Sequence, residues 1–151
     1  GKVFNGSQEI TDKIRDESIG IRASKISVFK SVRKTLLRLQ RDFARHPGLV
    51  ADGRDMGSIV FPNAFLKVFL SADATIRAER RYKQLIQKEI PCKMSDLLRE
   101  INLRDLRDTN REVGSLNLAK EVCSVHIDTS SKSIDEVVKI IVDEFNLKSS
   151  L

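Results

Sequence analysis

Along the chain the spacing of apolar positions changes several times, and each change marks an element. Val3-Phe4 and Ile10-Thr11 bracket Asn5-Gly6, a pair that favours a type I′ turn, so two short strand pieces are expected there. From about Ser24 to Ala44, the residues Ile26, Val28, Val32, Leu36, Leu37, Leu39 and Phe43 recur near the helical period. Lys30, Arg33, Lys34, Arg38 and Arg41 occupy much of the remainder. His46-Pro47-Gly48 ends this helix, because proline restricts its predecessor and glycine follows. An apolar run over Leu49–Ala51 then stops at Asp52 and reads as a buried parallel strand. Leu66–Leu70 and Ser124–Asp128 are the second and third strand candidates. Between them lie two helical segments, Ala74–Gln87 and Ser95–Glu112, separated around Pro91. The last helix, Ile134–Phe145, opens on a capping box formed by Ser133 and Glu136. Strands alternating with helices predict an α/β fold with a parallel sheet.

Composition narrows the partners. The 151 residues suit one domain with a real core, and the net charge of +6 favours anionic ligands such as nucleic acid, acidic membranes or phosphorylated small molecules. Aromatic residues make up only 5%, with no Trp, so platforms for stacking nucleic-acid bases are sparse. No run approaches the roughly 18 apolar residues that span a bilayer. Cys92 and Cys123 are far apart and, like His46 and His126, fit packing better than chemistry. A reduced, cytoplasmic setting follows from that cysteine usage.

Three charged stretches remain. Asp52-Gly53-Arg54-Asp55-Met56-Gly57 lies at the carboxyl end of a candidate strand, where open α/β sheets place ligands, although Asp-Gly is also an ordinary turn pair. In Arg104-Asp105-Leu106-Arg107-Asp108-Thr109-Asn110-Arg111, the residues Arg104, Asp108 and Arg111 share one helix face at roughly 100° per residue. Such a stripe can hold guanidinium forks for phosphate oxygens, with the carboxylate orienting them. It can equally be a solvated face laced with ion pairs. Arg77, Arg80 and Arg81 form a third cluster on the helix after the second strand. Two arginine-bearing helices around one proline-containing connection suggest a cationic flap that excludes water during transfer. No G-x-x-x-x-G-K-[ST] phosphate loop occurs in these residues.

The order Ala23-Ser24-Lys25, Val32-Arg33, Ala51–Gly57, Phe61-Pro62 and Arg104–Arg111 resembles the bacterial cytidylate kinase family. Ile10–Arg15 and Ile127–Ser130 agree with it, so the resemblance runs from about Val3 to the C-terminus. It implies a P-loop nucleoside-monophosphate kinase that moves the γ-phosphoryl of ATP, with Mg²⁺, to CMP or dCMP. Residue by residue, Ser24, Arg33, Arg54 and Asp55 match nucleoside-holding positions, Ser24 and Arg54 as base readers and Asp55 as acceptor for sugar hydroxyls. Arg104, Asp108 and Arg111 match positions that grip the monophosphate and help set the sugar. Asp52 matches the Walker-B carboxylate that acts on Mg²⁺. Arg80 and Arg81, with Arg104, would stabilise the transferring charge.

The same resemblance divides the chain into residues 1–47 (part of the monophosphate-binding subdomain and connecting helix), 48–88 (core), 89–103 (lid) and 104–151 (core). It implies a sheet incomplete at its N-terminal strand or strands. A strand bearing the phosphate loop would lie between the Asp52 strand and Leu66–Leu70. The chain is accordingly expected to be the C-terminal part of a longer kinase, inactive alone, monomeric when full-length, and without nucleic-acid or membrane partners. The alternatives are a kinase for UMP or AMP, a family member that binds without catalysis, and a basic nucleic-acid-binding module.

Overall fold

The computed structural model describes residues 2–14, 17–110 and 115–150. Two compact units emerge, Gly1–Leu49 and Val50–Leu151. In the first, β1 (Phe4–Asn5) and β2 (Gln8–Glu9) form an antiparallel hairpin, with Phe4 opposite Glu9 and Asn5 opposite Gln8. That register moves the turn one residue on from the expected Asn5-Gly6 centre. Gly6 now holds the first central position at φ +61, the place a type II′ turn reserves for glycine. A short helix α1 (Thr11–Ile14) follows, then α2 (Glu17–Ile26) and α3 (Lys30–Arg41).

The single helix expected over Ser24–Ala44 is thus two helices broken at residues 27–29. The break has a local cause. Ser27 donates its hydroxyl to the Ser24 carbonyl at 2.8 Å, a competing bond of the kind that ends helices, and extended Phe29 starts the next one.

In the second unit the parallel sheet consists of β3 (Val68–Ser71) and β4 (Val125–Asp128), in register from Val68 opposite Val125 to Ser71 opposite Asp128. Between these strands run α4 (Ala74–Ile86), α5 (Met94–Thr109) and α6 (Leu116–Val122). Helix α6 lacks a sequence expectation. Its start is set by Ser115, whose side chain accepts a bond from the Leu118 amide. Helices α4 and α5 pack through Ala78, Leu85 and Leu97, flanked by Tyr82, Cys92, Met94, Leu98 and Ile101. Helix α5 crosses the 103/104 division expected between lid and core without a break.

The expected strand over Leu49–Asp52 does not form among the described residues. The segment has no ladder partner there, and Val50 is 100% exposed. An apolar run becomes a strand only when a neighbour satisfies its backbone groups, and β3 and β4 satisfy each other. The result is a helix-rich α/β chain with a small parallel sheet.

Helix α4 ends at a Schellman motif, with the Ile90 amide bonded to the Leu85 carbonyl and the Glu89 amide to that of Ile86. The motif needs a left-handed residue, which Glu89 supplies at φ 58. Glu89→Gly therefore removes the Cβ penalty and is expected to raise stability by about 1 kcal/mol, read as a higher denaturation midpoint. An unchanged or lower midpoint would count against this strain.

Helix α7 (Ile134–Ser149) carries the expected capping box: the Ser133 amide donates to Glu136 at 2.7 Å, and the Glu136 amide donates to the Ser133 hydroxyl at 3.3 Å. The bond from the Ser133 amide foremost, and then one from the Ser133 hydroxyl to the same carboxylate at 2.7 Å, hold the Glu136 carboxyl below its usual range. Its contribution is therefore full above the ordinary carboxylate pKa of about 4.3 and is lost as pH falls through the lower folded value. The gap in melting temperature between the native chain and Glu136→Gln should narrow on acidification. A gap independent of pH would contradict this linkage.

Candidate functional site

The site is assembled from a turn and a helix. After Asp52 the chain passes through Gly53, at φ +157, where an added Cβ would lie 3.0 Å from Met56 Cγ. Glycine lets the chain fold back at once into a five-residue π-helix, Met56–Val60, closed by the Val60 amide on the Asp55 carbonyl and the Phe61 amide on that of Met56. Val60 is buried and anchors this turn, which packs against α6. Arg54 and Asp55 are thereby held half-buried on a fixed turn, while Asp52 stays exposed.

From the facing helix α5 comes Asp108, whose side chain is only 3% exposed. Its Oδ2 lies 2.5 Å from Arg54 Nε and 3.9 Å from Arg104 Nε, one turn back on α5. Two guanidinium groups thus share one buried carboxylate. Burial above all, and then the positive Arg54 nearby, pushes the Arg104 pKa below its ordinary value, with Asp108 opposing. An arginine remains charged even so. Both arginines turn Nε toward the carboxylate, so the terminal nitrogens of each fork are suited to an anion.

The other sequence-predicted residues distribute as follows. Arg111 lies outside the described residues, so the stripe is seen only as Arg104 and Asp108, joined by Arg54 from a distant segment. Ser24 is half-buried on α2, and Arg33 on α3 donates to the Ser27 carbonyl at 3.4 Å, which brings both residues to the α2–α3 break. Arg81 is half-buried on α4.

Arg80 binds Thr129 at the end of β4, donating to its hydroxyl at 3.1 Å and to its carbonyl. Thr129 in turn bonds the Ser71 carbonyl, so Arg80 reaches the carboxyl ends of both strands. Arg77 is not a free flap charge. It grips Asp105 with two bonds, at 3.0 and 2.5 Å.

Neither partner, Asp105 nor Thr129, stands out as functional from residue order or spacing. Both stand inside motifs already quoted, but nothing in the spacing pointed to partners this far along the chain. His126 bonds the Cys123 carbonyl, and burial raises the Cys123 thiol pKa, which fits packing rather than reactivity. Among the described residues no group of three or more His, Cys, Asp or Glu is placed to hold a metal. No described helix is long and apolar enough to cross a membrane.

A sequence model of the family described as cytidylate kinase matches residues 1–147. The chain belongs to the cytidylate kinase family. Among its relatives, a cytidylate kinase of Polynucleobacter asymbioticus is 53% identical over 142 residues, covering 94% of this chain and 64% of that protein. One from Cupriavidus pinatubonensis is 48% identical over 144 residues, covering 95% and 64%. Cytidylate kinase 1 of Haemophilus influenzae is 49% identical over 136 residues, covering 90% and 58%. The chain therefore spans somewhat less than two thirds of the length of these relatives. Cytidylate kinase family membership carries the P-loop nucleoside-monophosphate kinase fold, and the helix-rich chain with its small parallel sheet is compatible with it.

The buried carboxylate gives a direct test. Arg54→Met removes the short 2.5 Å contact to Asp108 and leaves the longer Arg104 contact in place. Because Arg54 is about a third exposed, the loss should fall below that of a fully buried pair, at roughly 2–3 kcal/mol. The denaturant midpoint is expected to drop at constant m-value. A change below about 0.5 kcal/mol would mean that Asp108 is compensated elsewhere.

Proposed function

We propose that the protein carrying this chain is a (d)CMP kinase, transferring the γ-phosphoryl of ATP to CMP or dCMP to give CDP or dCDP, and that this chain supplies mainly the acceptor side. The observation that carries the reading is the meeting of Arg54 and Arg104 on buried Asp108, inside the two stretches that carry the family resemblance.

Phosphoryl transfer depends on positioning and charge stabilisation more than on proton relays. A site built from oriented arginines, with both histidines outside it, suits that chemistry. In this reading Arg104 and Arg111 hold the monophosphate, and Asp108 fixes Arg104 and Arg54 while helping to set the sugar. Arg54 and Ser24 read the base, Asp55 accepts from sugar hydroxyls, and Arg33 supports the nucleoside.

Mg²⁺ fits Asp52: the ion is commonly held by one or two carboxylates together with waters and substrate phosphates, and Asp52 is an exposed carboxylate beside the Arg54 turn. When bound with ATP, the ion would neutralise phosphate charge. Arg80 and Arg81 would cover the transferring group from α4, Arg80 by exchanging its Thr129 contact for phosphate oxygens. Residues 89–103 would serve as the lid, and the enzyme would act as a cytoplasmic monomer.

The test is a coupled assay of the full-length protein with ATP and, in turn, CMP, dCMP, UMP and AMP. Highest kcat/KM for CMP or dCMP is expected, and a preference for AMP would overturn the base-reading roles of Ser24 and Arg54. The 151-residue chain assayed alone is expected to give no ATP-dependent turnover, because it contains no phosphate-binding loop sequence. Turnover by the chain alone would refute the acceptor-side assignment.

A further inference from the structure

Two carboxylates on one turn of α5 are each gripped by an arginine from a different segment. Asp108 is held by Arg54 of the turn after Asp52. Asp105, three residues earlier, is held by Arg77 of α4 in a two-point fork, NH1 to Oδ1 at 3.0 Å and NH2 to Oδ2 at 2.5 Å. The same guanidinium donates Nε to the Ala72 carbonyl at 3.0 Å, immediately beyond the end of β3.

All three guanidinium nitrogens of Arg77 thus donate. The side chains are largely shielded, at 34% and 29% exposure, so the pair is less screened than a surface ion pair. Arg104 immediately precedes Asp105 on this helix and stands one turn before Asp108.

We propose that Arg77 and Asp105 are positioning residues for acceptor binding: their fork locks the rotation and height of α5 against the carboxyl end of β3 and so sets where Arg104 and Asp108 stand. The inference rests on the acceptor-side reading given above. The physical reason is the shape of the guanidinium. A planar fork fixes distance and angle together, whereas a lysine ammonium at the same place supplies charge without direction. Without the fork, α5 keeps its apolar packing on α4 through Leu97 but loses its polar tie to the strand end. Small displacements of a gripping group carry large losses in affinity and rate.

The test uses the full-length protein with Arg77→Met, Arg77→Lys, Asp105→Asn and the Arg77→Met/Asp105→Asn pair, all well below their melting temperatures. CMP affinity is measured by titration calorimetry, and KM for CMP and ATP by turnover. Each single variant is expected to weaken CMP binding and raise KM for CMP by about tenfold or more, with KM for ATP within about twofold. The double variant should be no worse than the singles, because they break one interaction. Lysine at position 77 should behave like methionine. Full recovery with lysine would overturn the directional argument. CMP binding within about twofold of the native protein, even with a lowered melting temperature, would reduce the fork to a stabilising contact and overturn the proposal. A native protein that neither binds nor phosphorylates CMP would refute the acceptor-side reading, and the inference with it.

Discussion

A carboxylate with almost no access to water is costly unless opposite charge stands beside it, and Asp108 is such a group. Arg54 on a tight turn and Arg104 one turn back on its own helix stand beside it. Much follows from that arrangement. The turn must be tight enough to deliver Arg54, which accounts for Gly53 and the π-helix behind it. Helix α5 must present a fixed face, which accounts for its packing on α4 through Leu97 and Ile101. Two arginines brought this close repel each other, and the buried carboxylate between them offsets that repulsion. The same geometry holds two guanidinium groups in one place.

The carboxyl ends of β3 and β4 show a related economy. Arg80 ties Thr129 to α4, Thr129 bonds Ser71 across the two strands, and the Asp73 amide meets the Ser130 hydroxyl. Ser130 in turn donates its amide to Asp128, and hydrogen bonds from Ser130 hold that carboxyl below its usual range. Arg77 adds a third tie from Ala72 to α5. Arginine is suited to each place because it alone offers several directed donors on a planar group. Charges that look like a free cationic cluster along α4 are thus partly committed to joining elements. A chain dense in arginine can bind anions only with those its fold leaves available.

Local rules in the sequence carried well where the cause is local. The capping box at Ser133 and Glu136, the helical period of α4 and α5, and the apolar runs of β3 and β4 all depend on residues within a few positions of each other. The rules failed where competition is fine or the partner is distant. One serine bond divided the helix expected over Ser24–Ala44, and a one-residue shift in hairpin register moved the turn to Gly6-Ser7. The apolar run at Leu49–Ala51 has strand composition but no ladder among the described residues, because strand formation depends on a neighbour and not on the run itself.

The candidate site divides the same way. The motifs around Asp52–Gly57 and Arg104–Arg111, and the family to which they belong, were legible in the sequence, since residue order and spacing carry them. The i,i+4 relation of Arg104 to Asp108 was legible too, because helix geometry alone imposes it. That Arg54 completes the pair across more than fifty positions, that Arg77 is bound to Asp105, and that Arg80 rests on Thr129 were decided only by tertiary structure. Sequence states which charges exist and which share a helix face. Only the packed chain decides which opposite charges meet and which of them lose water, and those two facts set the strength of every pair.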